Sequence, residues 1–282
     1  MPLRPPSLPD FLGIGALKAG TTYLDAMLRS HPDVCLPGRI KEVEFFTRHF
    51  DRGPGWYQEQ FRGCVGQVRG EVSPQYLFDA RAAGRIHGLI PDAKLIVSVR
   101  DPVQRAYSQY KHWVQETAYR QSFDQFLVDH PGAVERGRYF SSLRPYLDLF
   151  PRDQLLVIVF EDLVAQPLPT MQRVYRFAGV TDDHVPATAE QALYVSASPR
   201  FHQGYVAVKR VTRWCRGSGF DVVVTAAKGA GLGRVFRTNS DAPAFAPMPA
   251  STAQRLASVY ADDVAALSTL VDRDLAQLWS IA

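Results

Sequence analysis

The sequence predicts a single α/β domain built on a mostly parallel sheet with helices on both faces. Two observations carry this. Short apolar segments at Phe11–Gly15, around Gln67–Val72, at Lys94–Val99 and at Leu155–Phe160 alternate with amphipathic helical stretches, the order that yields parallel strands joined by helical crossovers. The first strand also runs through a glycine-rich loop straight into a helix, in FLGIGALKAGTTYLDAMLRSHPD (Phe11 to Asp33), the layout of a phosphate-binding turn.

The elements follow in order. The first helix carries Leu24, Met27 and Leu28 on one face and stops near Ser30, because Pro32 disfavours a helical His31. A second helix starts at Asp101-Pro102, an acidic N-cap followed by proline at the first helical position. Val103, Ala106, Tyr107, Tyr110 and Val114 form its apolar stripe, and Arg105, Ser108 and His112 fall on the opposite face. The last helix spans about Ser251 to Trp279, with Leu256, Tyr260, Leu267, Leu270, Val271, Leu275 and Leu278 facing the body. Between Gln203 and Ser240 the pattern breaks down into seven Lys/Arg, one acidic residue and six glycines. That stretch reads as loop: a lid over a donor, a guide for an anionic acceptor, or a solvated basic segment. Residues 1–282 thus read as one domain with a loop-rich region at about 203–245.

The chain of 282 residues, 46% hydrophobic and 21% charged, can bury a sizeable core. A net charge of +4 and a pI near 9.0 suit an anionic ligand, but no concentrated patch argues for nucleic acid. The three cysteines (Cys35, Cys64, Cys215) give neither a disulfide framework nor a metal spacing, which points to a reducing compartment. The longest apolar run, Leu155 to Phe160, is far short of a membrane span. The expectation is a soluble, cytoplasmic protein of unknown oligomeric state.

The first loop is not a Walker A motif, which requires lysine directly after the last glycine. Gly15 and Gly20 have the right separation, yet Thr21 stands in the lysine's place and Lys18 lies inside the loop. Backbone amides at Gly20-Thr21-Thr22, two hydroxyls and a mobile ammonium group still suit an anion at a helix start. Arg100 ends another strand, and Ser108 sits further along the helix that follows. In an open parallel sheet both strand ends face one crevice. Two anchors on different strands suit a nucleotide phosphorylated at two separate places rather than a linear triphosphate.

Together these stretches resemble the sulfotransferases that use 3′-phosphoadenosine-5′-phosphosulfate (PAPS). FLGIGALKAGTTYL is similar to their 5′-phosphosulfate loop and SVRDPVQRAYSQY to their 3′-phosphate motif. HPDVCLPGRIKEVEFF, GRYFSSLRPYLDLFP, VIVFEDL and VYADDVAALSTLVDRDLAQLW extend the likeness toward the glycan-type branch, the heparan sulfate sulfotransferases and their bacterial relatives. The resemblance implies the sulfotransferase fold and a metal-free transfer from PAPS, leaving PAP, to a hydroxyl or amine of a glycan, lipid or small-molecule acceptor. It assigns Lys18, Ala19, Gly20, Thr21 and Thr22 to the phosphosulfate, and Arg100, Ser108 and Arg200 to the 3′-phosphate side. It makes Glu42 of KEVEFF the general base, beside Phe45 and Phe46; the competing reading is a surface glutamate paired with Lys41 or Arg39. His112 is the second candidate base, or a group near the leaving phosphate. One departure stands out: the branch carries lysine after the glutamate of its second strand motif, and GEVSPQYLF has Val72 there. The rival readings are a P-loop kinase, which requires a Walker lysine, and a non-catalytic nucleotide-binding protein, which does not require Glu42.

Overall fold

The computed structural model describes residues 8–38, 40–186, 245 and 247–281. Five parallel strands form one sheet: β1 (Phe11–Gly15), β2 (Val34–Cys35), β3 (Val68–Val72), β4 (Lys94–Val99) and β5 (Leu155–Val159), in the order β2-β3-β1-β4-β5. In register, Phe11 pairs with Gly70 of β3 on one side and Lys94 of β4 on the other. The central strands are buried along almost their whole length, as expected of a sheet covered on both faces.

Alternation sorts the core into two layers. Phe11, Val72, Ile96 and Ile158 face α1 (Thr21–Ser30), joined there by Leu24, Met27, Val174 and Tyr175. Leu12, Ile14, Leu95, Val97 and Val99 face the opposite layer with Phe45, Phe46, Tyr57, Tyr76 and Tyr146. Between β2 and β3 lies α2 (Gly53–Glu59), and between β3 and β4 lies α3 (Ala82–Leu89). The crossover to β5 holds α4 (Pro102–Glu116), α5 (Phe123–Asp129), α6 (Gly132–Glu135) and α7 (Tyr139–Leu147). After β5 come α8 (Phe160–Ala165), α9 (Pro167–Ala178), α10 (Ala250–Val271) and α11 (Leu275–Trp279).

Most expected boundaries hold. β1, β4 and the end of α1 fall where expected, and Asp101 caps α4 by accepting from the amides of Val103 and Gln104 at 2.8 and 3.2 Å. Three expectations need correction, and a fourth is not tested. The cysteines are not all unpaired: Cys35 and Cys64 form a disulfide across Cα atoms 5.6 Å apart, so the argument for a reducing compartment loses its basis. The last helix is two. Asp272 adopts φ 52, the Arg273 amide turns back to the Ser268 carbonyl, and Asp274 caps α11; a short polar side chain tolerates that left-handed turn. Leu278 consequently points outward while Trp279 is buried. Arg105 is not on the open face of α4 but wholly buried, donating to Gln109 and the Ala133 carbonyl. Arg200, Cys215 and the expected lid at 203–245 lie outside the described residues apart from Phe245, which meets Tyr110 on α4 edge to face.

Helix α10 fastens this assembly. Its buried Asp263 accepts from the amides of Phe140 and Ser141, each at 2.9 Å, and from the Ser141 hydroxyl at 2.6 Å, so a remote carboxylate caps α7. Asp263→Ala strands three donors in a dry place and is expected to destabilise the protein by about 2–3 kcal/mol in equilibrium urea unfolding; a loss below about 0.5 kcal/mol, the level of an indifferent surface change, removes this role.

Candidate active site

The carboxyl ends of β1 and β4 lie side by side, and the loop after β1 is drawn onto β4. The Ala16 amide donates to the Ser98 carbonyl at 2.8 Å, and the Ser98 hydroxyl donates to the Ala19 carbonyl at 2.5 Å. Gly20 then starts α1 at φ 86, with no side-chain cap. That backbone favours glycine, and a Cβ there would meet the Phe160 ring at 2.8 Å. The first amides of α1 are left without a side-chain acceptor and point where an anion can take them. Thr21 is buried beside them and Thr22 is exposed.

Four cations surround this helix start. Lys18 is half-buried in a left-handed backbone, φ 67. Burial, foremost, and the charges of Arg100, Lys111 and Lys41 hold its ammonium below the usual lysine range, while Glu116 opposes them. Arg100 donates to the Lys18 carbonyl at 3.4 Å and lies 4.7 Å over the Phe160 ring. The ring that closes off Gly20 therefore also supports Arg100. Ser108 is half-buried in the second turn of α4; Lys111 lies one turn further on, 4.9 Å from the Tyr107 ring. Burial and Arg100 lower the Lys111 ammonium as well. The loop thus gathers Lys18, Ala19, Gly20, Thr21, Thr22 and Arg100 at one edge, a set that fits an anionic ligand. Among the described residues no group of three His, Cys, Asp or Glu side chains is placed to hold a metal ion.

The segment carrying Glu42 reaches the same edge. Lys41 donates to the Thr22 hydroxyl at 3.2 Å, which ties the two loops together. Glu42 is half-buried. Burial, foremost, pushes its carboxyl up, aided by Glu44 and Asp25 and opposed by Lys41 and Arg48. His112 sits exposed in the third turn of α4.

A cavity of about 820 Å³ is lined by Thr47, Gln75, Ser141, Ser142 and four arginines, Arg48, Arg81, Arg136 and Arg138. Sequence reasoning missed this cleft because its walls come from three distant segments. Three of the arginines have carboxylate partners: Arg48 with Glu44 at 2.6 Å, Arg81 with Asp79 at 2.7 Å and Arg138 with Glu135 at 3.6 Å. Among the described residues Arg136 has no ion pair; its guanidinium lies half-buried, 5.9 Å from the Phe78 ring.

Known proteins are similar to this chain. A family model described as a sulfotransferase domain matches residues 8–197. The chain is 39% identical over 189 residues to mouse heparan sulfate glucosamine 3-O-sulfotransferase 6, covering 62% of this chain and 55% of that one. It is 29% identical over 288 residues to mouse bifunctional heparan sulfate N-deacetylase/N-sulfotransferase 3, covering 94% of this chain and 30% of that one. The chain spans about half the length of the 3-O-sulfotransferase relatives it matches. A sulfotransferase from Alicyclobacillus acidocaldarius superimposes with a TM-score of 0.70 at 26% identity, over 97% of this chain and 99% of that one. The family model takes in all five strands, the β1 loop, Glu42 and Arg100, and on that match the chain belongs to the sulfotransferase domain family.

Proposed function

We propose that the protein transfers a sulfuryl group from PAPS to a hydroxyl or amine of an anionic acceptor, with Glu42 taking the acceptor's proton. The observation that carries this reading is the group of mutually repelling cations around an uncapped helix start, which Glu116 and Glu161 relieve only in part and an anionic ligand would relieve further. The donor, when bound, supplies the sulfuryl group and a bisphosphate leaving group. Lys18 and the amides at Gly20 to Thr22 hold its 5′ end, and Lys18 neutralises charge that develops on the leaving oxygen. Arg100 and Ser108 hold the 3′-phosphate, which does not change in the reaction, so they contribute uniform binding. The family match favours sulfuryl over phosphoryl transfer.

Glu42 suits the proton-accepting role better than His112. It is half-buried on a segment hydrogen-bonded to the donor loop, whereas His112 is exposed. Arg136, which has no carboxylate partner among the described residues, supplies the positive charge for the acceptor, and heparan sulfate relatives make a sulfated or carboxylated glycan the first acceptor to try. Turnover of labelled PAPS against a panel of glycans, phenols, lipids and amines tests the whole reading; bound PAPS with no product from any acceptor would favour a non-catalytic nucleotide-binding protein.

Three outcomes are expected. PAP at ~100 Kd should stabilise the protein by ~2.7 kcal/mol in thermal melts, and ATP with magnesium much less; equal shifts would remove the case for a separate 3′-phosphate site.

Glu42→Gln should lower kcat by ~10²–10⁴-fold while PAP affinity holds. A carboxylate base works deprotonated, and burial raises this one, so kcat/KM should fall on acidification at a pH above the ordinary carboxylate range. Lys18, held low by burial and its cationic neighbours, should lose its charge earlier than an ordinary lysine as pH rises, giving the alkaline limb. Near-normal turnover in Glu42→Gln together with an inactive His112→Ala would transfer the role to the histidine.

Arg136→Ala should raise KM for an anionic acceptor by about 10–100-fold, the loss of one charged hydrogen bond, and leave PAP binding unchanged. An identical rise for an uncharged analogue of that acceptor would exclude charge recognition at this position.

A further inference from the structure

Beneath the segment that carries Glu42 lies a buried charge with no part in the reaction as drawn. Glu71 sits in β3, opposite Leu12 of β1, with no exposed surface. Its carboxylate is nevertheless saturated. The Tyr57 and Tyr76 hydroxyls donate to Oε1 at 2.5 and 2.6 Å, and the Ser73 hydroxyl donates to Oε2 at 3.0 Å. The Val43 backbone hydrogen-bonds to it as well. Two of these partners also reach the same segment: Ser73 Oγ accepts from the Glu44 amide at 3.1 Å, and the Phe46 backbone hydrogen-bonds to Tyr76. Backbone groups of Val43, Glu44 and Phe46 therefore all end on one carboxylate and its hydroxyl partners.

The choice of a carboxylate has a physical reason. An ionised carboxylate only accepts and offers about four lone-pair sites, so two phenols, a hydroxyl and an amide can all point inward. A glutamine would turn an NH₂ group toward one of those donors. An apolar residue at this position would escape the desolvation that pushes the Glu71 carboxyl up against its hydrogen bonds, but it would strand the Tyr57, Tyr76 and Ser73 hydroxyls in a dry place. It would also take away the Val43 contact and leave Ser73 and Tyr76, which receive the Glu44 and Phe46 backbone, with nothing to fix their hydroxyls. The 43–46 segment needs these contacts because Glu44 adopts φ 51, a left-handed turn unusual for glutamate.

We propose that Glu71 is a positioning residue for the proton-accepting step: with Tyr57, Tyr76 and Ser73 it seats the Val43–Phe46 segment and so holds Glu42 half-buried at the donor edge. The inference rests on Glu42 being the base. The same network makes Ser73 and Tyr76 part of the seat, although neither touches Glu42.

The test uses the full chain and the variants Glu71→Gln and Tyr76→Phe, read by hydrogen–deuterium exchange at the 43–46 amides, by PAP affinity and by the pH profile of turnover. Exchange at these amides should quicken while PAP affinity holds. The kcat of Glu71→Gln should fall by about 10²-fold, the cost of a misplacement on the order of 1 Å. Its acidic limb should move to lower pH, because a Glu42 released toward solvent loses the burial that raises it. A general loss of folded protein would reduce activity without moving that limb, and such a result overturns the proposal. So does wild-type exchange at 43–46 in both variants, a readout that stands even if no acceptor is ever sulfated. Should Glu71→Gln fail to fold, Tyr76→Phe carries the same two readouts, since it removes the hydroxyl shared by Glu71 and Phe46.

Discussion

Like charges held together are the constraint on which the rest of this molecule turns. Arg100, Lys111 and Lys41 all act on the Lys18 ammonium and push it toward neutrality. Such a group gains nothing from its own proximity, so other forces must hold it. The parallel pairing of β1 and β4 fixes the two strand ends side by side, and Ser98 binds the loop between them. Phe160 fills the space that Gly20 leaves and lies under Arg100. Glu116 and Glu161 relieve part of the repulsion at Lys18 and Arg100. The remaining positive potential, focused at a helix start, is the property that selects a multiply anionic ligand.

The second half of the site is held to the first by a few polar contacts rather than by continuous packing. Lys41 reaches Thr22 from one side, and the Glu71 network receives the 43–46 backbone from below. The Cys35–Cys64 disulfide closes the chain around this segment, limiting how far it can stray in the unfolded chain. Phe45 and Phe46 pack into the core beside Glu42, with the Phe45 ring stacked 4.3 Å from Tyr57. Burial of Glu42 is thus a consequence of where its neighbours must go.

What could be read in the sequence was what local chemistry decides. Strand bounds, the end of α1 before Pro32, the Asp101 cap and the donor loop all follow from residues within a few positions of one another. Two of the misreadings share one feature, a partner distant in sequence. Arg105 looked like a surface residue by helical spacing, but the Ala133 carbonyl draws it inward. Cys35 and Cys64 are 29 residues apart and meet only because β2 lies beside β3. Glu71 was passed over for the missing lysine at Val72, although a carboxylate inside an apolar parallel strand was itself a signal. The break at Asp272 was visible in principle in the Asp-Arg-Asp triplet, where two acids compete to end one helix and cap the next.

The arginine-lined cavity shows why counting charges fails even where the residues are plain to see. Its four arginines sit near residues 48, 81, 136 and 138, scattered through an unremarkable composition. Three find carboxylates within four positions along the chain, at Glu44, Asp79 and Glu135, and so are largely neutralised before any ligand arrives. Exposed pairs of that kind contribute little by themselves, but they cancel field as effectively as they add it. Among the described residues Arg136 differs in having an aromatic neighbour instead of an ion-pair partner, and burial makes its charge harder to hold. An anion beside it would restore what burial removes. The charge such a cavity offers a ligand therefore depends less on how many cations line it than on which one has no counterion among the described residues.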